Sequence, residues 1–556
     1  MSKTFVSLSL MAAAVMAGGL LTSVGMAQTP AATPPSLPVG GAFRLSAECM
    51  ACHNGLTTPS GEDVSIGSTW RASMMAHAAR DPYWHAGVRR EVTDHPREQA
   101  AIENECSRCH MPMAHVQTHA LGRQQSVFAN LPVVGGAGRG ADPFAADGVS
   151  CALCHQIAND RLGQKSSFTG GFSVDTSTPI EKRQMFGPFD VDGGHTALMR
   201  SATGFVPTKA THIQQSEVCA TCHTLYTHTL NAAGEAIKEF PEQVPYQEWL
   251  QSEFRDTQSC QSCHMPVVEQ PTPIASVRGD AREGFSRHDF RGANFLMLSV
   301  LNRFRADLGV VARPTEMDAA IARTKAYLQT SAATVSLARM ELVGGRIEAD
   351  VIVRNLAGHK LPTAYPSRRV WLRVTVQDGQ GRVVFSSGQV EPTGAIAGND
   401  NDLDGARFEP HYREIRSQDQ VQIYEVIMGT QAGAVTTGLL SSFSYLKDNR
   451  VTPRGFDKRV VPEDVAVHGD ALDDPDFVAG EDRVRYAIDV AGAQGPFTVE
   501  AQLWYQSIAY RWAQNLRGYA AAEPQRFVSY YDQMGPASAL MLARATGVAS
   551  SVATGR

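Results

Sequence analysis

The sequence predicts a multidomain fold: a mainly helical and irregular region at 45–300, an all-β domain at 331–510 and a short helical segment at 511–556. All ten cysteines lie in the first of these regions, between residues 49 and 263. Hydrophobic residues follow helical spacing before residue 330 and strict alternation after it, which is the period of a strand with one buried face. A chain of 556 residues is long enough for about three or four average domains.

The composition excludes two broad classes of protein. Hydrophobic residues make up 43% of the chain and charged residues 19%, so it can bury substantial cores and is not a disordered chain. The net charge is −6 without a dominant basic patch, which argues against nucleic acid as a partner. No internal run of apolar residues reaches the length of a membrane span, so we expect no transmembrane segment in the mature chain.

The N-terminus has the pattern of an export signal. Lys3 is followed by an apolar run from Phe5 to about Leu21, and small residues stand at Gly25 and Ala27. This pattern predicts a signal peptide at 1–27, with a membrane anchor as the alternative. Residues 28–44, rich in Pro, Ala and Thr, then form a flexible leader. We therefore expect a periplasmic protein, with the outer cell surface as a second possible location.

The cysteines follow one rule of spacing: every one belongs to a C-x-x-C pair, and a histidine follows each pair at once. The pairs are Cys49/Cys52, Cys106/Cys109, Cys151/Cys154, Cys219/Cys222 and Cys260/Cys263, and the histidines are His53, His110, His155, His223 and His264. On a helical turn, positions i, i+3 and i+4 share one face. Two thiols can then form thioethers to one porphyrin while the imidazole approaches the iron as its proximal ligand.

Paired cysteines have three other common uses in proteins besides haem attachment. Zinc sites need four ligands and do not require a histidine directly after each pair. Disulfides are possible in an oxidising compartment but leave the five histidines unexplained, and redox-active thiol pairs need a βαβ context that is not evident here. C-x-x-C-H is the signature of c-type haem attachment, and the sequence therefore predicts five covalently bound haem c groups.

The segments CMACH, CSRCH, CALCH, CATCH and CQSCH resemble those of multihaem c-type cytochromes. The flanking segments CHMPMA, DGVSCALCH, QQSEVCATCH and EW followed by CQSCHMP are similar to the superfamily of hydroxylamine oxidoreductase and the pentahaem nitrite reductases. The resemblance covers about residues 45–300 and implies a pentahaem cytochrome domain there. One departure is that these nitrite reductases use a CxxCK motif at the catalytic haem, whereas all five motifs here end in His.

Each haem iron needs a second axial ligand or carries an open site. The candidate distal ligands are His77, His195, His212, His228, His288 and His359. His288 resembles the distal histidine of hydroxylamine-oxidoreductase-like cytochromes, and His359 lies in GHKLPT, which resembles a segment of β-domains appended to multihaem cytochromes. His115 and His119 are weaker candidates, and methionine ligation by Met74, Met75, Met111 or Met113 is the alternative, which would raise the potential of that haem.

The sequence after residue 300 predicts a linking segment, a β-domain and a helical C-terminal segment. Residues 301–330 hold an amphipathic helix at Pro314–Gln329. Alternating residues at 346–354, 370–376 and 497–505, with a hairpin at Gly344-Gly345, predict an immunoglobulin-like β-sandwich at 331–510. Residues 511–556 are expected to be helical, notably Pro536 to Ala545.

One acidic loop in the β-domain has the beginning of a calcium-binding pattern. Asp400, Asp402 and Asp404 occupy positions 1, 3 and 5, and Gly405 follows at position 6. The glutamate expected at position 12 is replaced by His411. Bound Ca²⁺ and a solvated acidic turn are the two interpretations.

The sequence supports three classes of function. The first is an electron carrier that passes electrons through five haems between redox partner proteins. The second is a multihaem oxidoreductase that acts on a small nitrogen or sulfur compound at one haem with an open distal side. The third is a structural or filament-forming role for the β-domain, with the haems used for conduction. An enzyme would need a pocket at one iron, and the sequence identifies no catalytic residue.

Overall fold

The computed structural model describes residues 41–133 and 142–551. The predicted signal peptide, the leader up to residue 40 and the glycine-rich stretch at 134–138 lie outside these residues. The α-helices, numbered in chain order, are α1 (Ser46–Met50), α2 (Ile66–Trp70), α3 (Pro82–Asp94), α4 (Gln99–His110), α5 (Pro112–Ala120), α6 (Pro143–Ala146), α7 (Cys151–Cys154), α8 (Gly193–Thr203), α9 (Ser216–Ala220), α10 (Pro245–Leu250), α11 (Cys260–His264), α12 (Phe295–Arg303), α13 (Pro314–Ser331), α14 (Asp400–Leu403), α15 (Tyr510–Asn515) and α16 (Ala522–Met534).

The first half of the chain holds six short strands, and the second half holds the long ones. The strands are β1 (Gln184–Gly187), β2 (Val206–Lys209), β3 (Leu225–Leu230), β4 (Ala236–Gln243), β5 (Thr272–Pro273), β6 (Ala281–Arg282), β7 (Ala333–Val343), β8 (Arg346–Asn355), β9 (Arg369–Gln377), β10 (Val383–Ser387), β11 (Glu414–Ile415), β12 (Ile423–Tyr424), β13 (Val426–Gly429), β14 (Val435–Thr436), β15 (Ser444–Asp448), β16 (Glu481–Asp489), β17 (Phe497–Gln506) and β18 (Ala539–Ser551). The six short strands form three two-stranded sheets, β1–β2, β3–β4 and β5–β6.

Local signals fix the short helices of the first region. At α3, the Asp81 side chain accepts hydrogen bonds from the backbone N–H groups of Tyr83 and Trp84, and Pro82 occupies the first helical position. At α8, Asp192 caps the helix in the same way. Both caps satisfy N–H groups that have no partner within the helix. Side chains therefore cap some of the helices of this region, α3 and α8 among them.

The all-β region is present, and its main sheet is a path of paired strands in the order β10-β9-β17-β18-β7-β8-β16-β11, with β12 also paired to β9. Gly344 and Gly345, with φ of 58° and 80°, make the hairpin between β7 and β8, because two-residue hairpin turns need positive φ at both positions. A separate sheet has the order β14-β13-β15. The immunoglobulin-like form of this region stays a prediction.

The prediction of a helix at Pro536–Ala545 is wrong. Helices α15 and α16 are present, but Ala539–Ser551 is strand β18, which lies between β17 and β7. The stretch alternates small residues with Arg544, Thr546 and Val548, whose side chains are exposed. A Cβ added at Gly547 would lie 2.1 Å from Met340 Cε. Small residues stand here because the strand passes close to its neighbours. The stretch therefore has few of the β-branched residues that usually predict a strand.

The two regions share their largest apolar cluster. The predicted linking helix is confirmed as α13, whose Met317 and Leu328 pack in one cluster with Phe295 of α12 and Val351 of β8. All described residues belong to one compact unit. Within that part of the chain, none of the helices combines the length and the hydrophobicity that a membrane span requires.

Candidate haem-binding site

Each of the five C-x-x-C-H segments includes part of a short helix. Helix α4 contains the whole second segment and α11 the whole fifth, while α1, α7 and α9 contain the beginnings of the others. In the first segment, the His53 N–H donates to the Cys49 carbonyl at 3.0 Å, and the His223 N–H donates to the Cys219 carbonyl at 2.9 Å. These bonds give the helical turn that places both thiols and the imidazole on one face.

The second cysteine of the first segment lies just beyond a helix but keeps the helical turn. Helix α1 ends at Met50, so Cys52 lies in the turn that follows, where its N–H donates to the Cys49 carbonyl at 3.2 Å. The Cys52 carbonyl accepts the Ser276 N–H at 2.8 Å and the Ser276 hydroxyl at 3.0 Å. Because a distant loop uses this carbonyl, the first segment is a single turn and does not continue as a helix.

The disulfide alternative for the cysteines is not formed. All ten cysteines lie among the described residues and are free thiols, Cys52 and Cys263 included. Nine of them are partly buried, and Cys263 is exposed. The pairing of cysteines with one another therefore does not explain the spacing of the five segments, and thioether attachment stays the interpretation of both thiols in each.

The imidazoles of four of the five motif histidines are held by a backbone carbonyl at Nδ1. His53 Nδ1 lies 2.6 Å from Ile274 O, His110 Nδ1 lies 2.9 Å from Ala78 O and His155 Nδ1 lies 2.5 Å from Phe186 O. His264 Nδ1 bonds the carbonyl of Arg291. A carbonyl accepts only, so Nδ1 carries the proton and Nε2 has a free lone pair. This arrangement is typical of histidine that ligates a metal through Nε2.

Burial keeps these imidazoles neutral. It lowers the pKa of His110 and of His223 to about 4, and it also lowers the pKa of His53, His155 and His264. Desolvation disfavours the charged imidazolium form. The neutral form is the one that ligates a metal ion.

Two of the five histidines face a second imidazole. The rings of His155 and His288 have centroids 6.3 Å apart and planes 17° apart. The rings of His264 and His359 have centroids 6.3 Å apart and planes 18° apart. His288 Nδ1 lies 2.9 Å from Ser286 O, and His359 Nδ1 lies 3.0 Å from Lys360 O. All four rings therefore have Nδ1 occupied by a carbonyl, and no residue in the described part of the chain bonds their Nε2 atoms.

The spacing of the facing pairs fits one metal ion between two imidazoles. Metal–nitrogen bonds of about 2.0 to 2.1 Å on both sides of one ion would place the ring centres about 6 to 6.5 Å apart. A hydrogen bond between the two rings would instead require a protonated Nε2 on one of them. With two adjacent thiols on one side of each pair, the donor set fits haem c.

The other histidines that the sequence suggests as distal ligands differ in which ring nitrogen is hydrogen-bonded. His77 is buried, with 2% of its surface exposed, and its Nδ1 lies 2.8 Å from Ser73 O, so its Nε2 is free. His195 has both ring nitrogens engaged, Nδ1 with Asp192 and Nε2 with Arg278 O at 2.5 Å. The prediction that His195 is presented to a haem is therefore not supported by its geometry.

His212 and His228 also lack the arrangement expected of a distal ligand, which is a buried imidazole with an unoccupied Nε2. His212 uses Nε2, which lies 2.9 Å from Ile157 O, so the nitrogen that usually ligates iron donates to a carbonyl. His228 is exposed on β3. Of the weaker candidates, His115 bonds Ser107 Oγ through Nδ1, and the Met113 sulfur accepts a hydrogen bond from Ser150 Oγ.

The five segments converge in space. Helix α1 of the first segment contacts α7 of the third, and the Cys260 N–H of the fifth donates to Ser216 Oγ of helix α9 at 3.0 Å. The Thr221 carbonyl of the fourth segment accepts the Gly170 N–H at 2.7 Å, and a Cβ added at Gly170 would lie 2.7 Å from Arg108 Cβ of the second. The first segment therefore adjoins the third, and the fourth adjoins the fifth and lies beside the second.

Comparisons with known proteins agree with this arrangement at the level of the fold. No family model matches the chain, and no curated protein matches it. Among solved structures, a penta-heme cytochrome c552 from Thermochromatium tepidum aligns with a TM-score of 0.50 and 14% sequence identity, over 91% of this chain and 99% of that chain. This chain has a multihaem-cytochrome-like fold.

Within this multihaem-cytochrome-like fold, the acidic loop does not form the predicted calcium site. Asp402 makes a buried bidentate ion pair with Arg369, with both N–O distances at 2.9 Å. Asp400 pairs with Arg407 at 2.6 Å, and Asp404 accepts the backbone N–H of Ala406. Residues 400–403 form helix α14 instead of a coordinating loop. The aspartate side chains have protein partners, which explains the acidic pattern without a cation.

The β region contains one buried cluster that the sequence analysis missed. His411 Nε2 lies 3.1 Å from Asp474 Oδ2 and 3.8 Å from Asp482 Oδ1. Its Nδ1 accepts from the amides of Gln422 and Asn449, at 2.9 and 3.1 Å. Backbone hydrogen bonds fix both amides, so Nδ1 is unprotonated and Nε2 carries the proton. The protonated Nε2 excludes it as a metal ligand, and we interpret the cluster as structural.

Proposed function

We propose that the chain binds five c-type haems and transfers electrons among them between redox partner proteins outside the cytoplasm. Two pairs of facing imidazoles carry the proposal: His155 with His288, and His264 with His359. The spacing of each pair fits one iron. The fold, which is similar to that of a penta-heme cytochrome, supports the same interpretation.

Different residues would attach the haems covalently and ligate their irons. The ten cysteines would form the thioethers, and His53, His110, His155, His223 and His264 would be the proximal ligands. His288 and His359 would be distal ligands of the third and fifth haems, and His77 is the best remaining candidate for another. Iron in haem c, when bound, gains and loses single electrons, and bis-histidine ligation favours lower potentials than His/Met ligation.

The protein contributes orientation and closure. The carbonyls at Nδ1 of His53, His110, His155 and His264 fix the rotation of these four imidazoles and raise their basicity. An iron with imidazoles on both sides has no position for a substrate, so it exchanges electrons instead of binding small molecules. The adjacency of the first segment to the third, and of the fourth to the fifth, supports electron transfer between neighbouring haems. Redox partners would dock through small, transient contacts.

The proposed location outside the cytoplasm rests on the N-terminal sequence. The apolar N-terminal run supports export to the periplasm. Purified mature protein that begins after Ala27 would support it, and protein retained in the membrane with residues 1–27 attached would favour the anchor.

The test of the proposed function is spectroscopic. The exported protein should be red, and its mass should exceed that of the mature chain by five haem groups. EPR of the ferric protein should show predominantly low-spin iron that does not react with CO, nitrite or hydroxylamine. Colourless protein of unmodified mass would refute haem binding. A reactive high-spin haem would instead favour the oxidoreductase, with one open distal side.

A further inference from the structure

The distal ligand His359 lies in a loop between β8 and β9, not on a helix or strand. A loop residue needs external support if it is to hold a fixed position opposite His264. The Asn355 side chain supplies part of this support, because Nδ2 donates to the carbonyls of His359 and Val451, at 2.7 and 3.0 Å. The next residues pair with the chain at Val451 through the Leu361 N–H and C=O groups.

The residue after His359 is anchored by a buried charge. The Lys360 side chain is fully buried, and its ammonium group donates to Asp448 Oδ2 at 2.7 Å and to Ala466 O at 3.0 Å. Arg450 also binds Asp448, through Nε and Nη2 at 2.9 and 2.7 Å. Although burial opposes it, Arg450 and Lys360 hold the pKa of Asp448 well below its ordinary range. The three side chains thus form a charged cluster under the loop.

A carboxylate from the haem region completes this cluster. Glu248, on helix α10, accepts the Lys360 backbone N–H at 3.0 Å and the Thr363 hydroxyl at 2.5 Å, both through Oε2. Its Oε1 lies 2.9 Å from Arg450 Nη1. The side chains of Glu248, Lys360, Asp448 and Arg450 are all at least 93% buried, and they carry two negative and two positive charges. We call these four residues the loop-anchor network.

The loop also packs closely on the same part of the haem region. A Cβ added at Gly358 would lie 3.2 Å from Trp249 Cδ1 and 3.4 Å from Phe254 Cδ2. Glu248 and Trp249 precede the fifth attachment segment, which ends in His264. The helix that leads to the proximal ligand therefore also fixes the backbone next to the facing imidazole.

We propose that Glu248 is a positioning residue that holds His359 opposite His264, so that docking of the β region closes the sixth coordination position of the fifth haem. This inference rests on the proposed function, because it requires haem at the fifth segment. Glu248 does not touch the iron; it acts through the Lys360 N–H, one residue from the ligand. Its loss would free the loop and open one iron out of five.

The experiment compares Glu248→Ala with His359→Gly in the holoprotein. Ferric EPR of His359→Gly should show one-fifth of the iron converted from low to high spin, and the ferrous form should bind one CO per chain. Glu248→Ala should show the same conversion at the same haem, and the double variant should show no more. Added imidazole should restore the low-spin signal in both single variants, because it can occupy the vacated position.

Two variants serve as matched controls. Glu253→Ala removes an exposed ion pair, 2.7 Å to Arg454, that also joins the two regions but does not touch the loop-anchor network. Asp402→Asn breaks a buried ion pair in the β region. Both should keep the wild-type spectrum. If Asp402→Asn also produced one high-spin haem, the effect of Glu248→Ala would be general loosening and the proposal would fail.

The outcomes separate this inference from the proposed function. Wild-type protein without haem would refute the proposed function itself. A low-spin wild type with an unchanged His359→Gly spectrum would refute ligation by His359, and a changed His359→Gly with an unchanged Glu248→Ala would refute positioning alone. If Glu248→Ala does not fold, Glu248→Leu decides, because it fills the same space without an acceptor for the Lys360 N–H: high-spin iron above the wild-type level supports the proposal, and a wild-type spectrum overturns it.

Discussion

Trp84 lies flat against the imidazole of His110, with ring centroids 4.3 Å apart and planes 1° apart. His110 is the proximal candidate of the second attachment segment, and its Nδ1 is already bonded to the Ala78 carbonyl. The indole therefore fixes the ring plane, while the carbonyl fixes the nitrogen that carries the proton. Together they hold the imidazole in one orientation.

We expect Trp84→Leu to lower the free energy of unfolding and to change the EPR signal of a single low-spin haem. Stacked aromatic pairs contribute about 0.5–1.5 kcal/mol beyond the area they bury, and loss of the stack allows the ring to rotate. Denaturant unfolding and ferric EPR measure the two effects, and Trp84→Phe should retain most of both. Trp504→Leu, which removes a stack within the β region, should lower stability without changing the EPR spectrum; an EPR change there would contradict the interpretation.

His288→Gly should convert one haem to the high-spin state, whereas His195→Gly should leave all haems as they are. The reason is that His288 Nε2 is free opposite His155, while both nitrogens of His195 bond Asp192 and Arg278. CO titration of the reduced protein counts the open sites: one per chain for the first variant, none for the second. A CO-reactive His195→Gly would restore His195 to the list of ligands.

Calcium chelation should not change the thermal stability of the protein. Asp402 already has both oxygens on Arg369, with the ion pair buried. Asp402→Asn should lower the free energy of unfolding by about 3–5 kcal/mol, the usual effect of leaving one buried charge unpaired. The measurements are melting curves with and without EGTA and denaturant unfolding of the variant. A melting temperature that falls in EGTA would argue for a calcium site.

The contribution of Asp482 to the stability of the protein should decrease as the pH rises from about 4 to about 6. Burial raises the pKa of this carboxyl to about 6 in the folded chain, against the opposing effect of His411. In that window the unfolded chain has lost the proton that the folded chain keeps, so ionisation favours unfolding, by up to about 3 kcal/mol for two pKa units. The groups that face Asp482 are His411, Asp474, Tyr424 and the more distant Lys458.

The matched variant for this effect is Asp482→Asn, which has no proton to lose. We expect the stability of the wild type relative to Asp482→Asn to decrease between pH 4 and pH 6 and to be constant above pH 7. Guanidinium unfolding at a series of pH values measures it, and titration of the haem propionates cancels in the comparison. Parallel pH profiles of the two proteins would show that Asp482 does not titrate in this range.

Much of the fold could be predicted because the relevant signals are local. The alternation at 346–354 and 370–376 predicts β8 and β9, and the hairpin glycines 344 and 345 adopt the positive φ values that such a turn needs. Strand β18 was missed because its small residues are selected for a close approach to Met340, a contact that exists only in the folded sheet. The acidic loop allowed two interpretations because the partner of Asp402, Arg369, is distant in sequence.

The sequence by itself determined which thiols and imidazoles lie together, because a C-x-x-C-H segment on a helical turn brings its two thiols and its imidazole to one face without help from the rest of the chain. Only the tertiary structure decided which imidazoles face each other. His155 and His264 meet His288 and His359 through contacts between distant segments, and the hydrogen bonds of His195 are equally non-local. A ring nitrogen is free or occupied according to which carbonyl the fold brings beside it, and spacing along the chain does not contain that information.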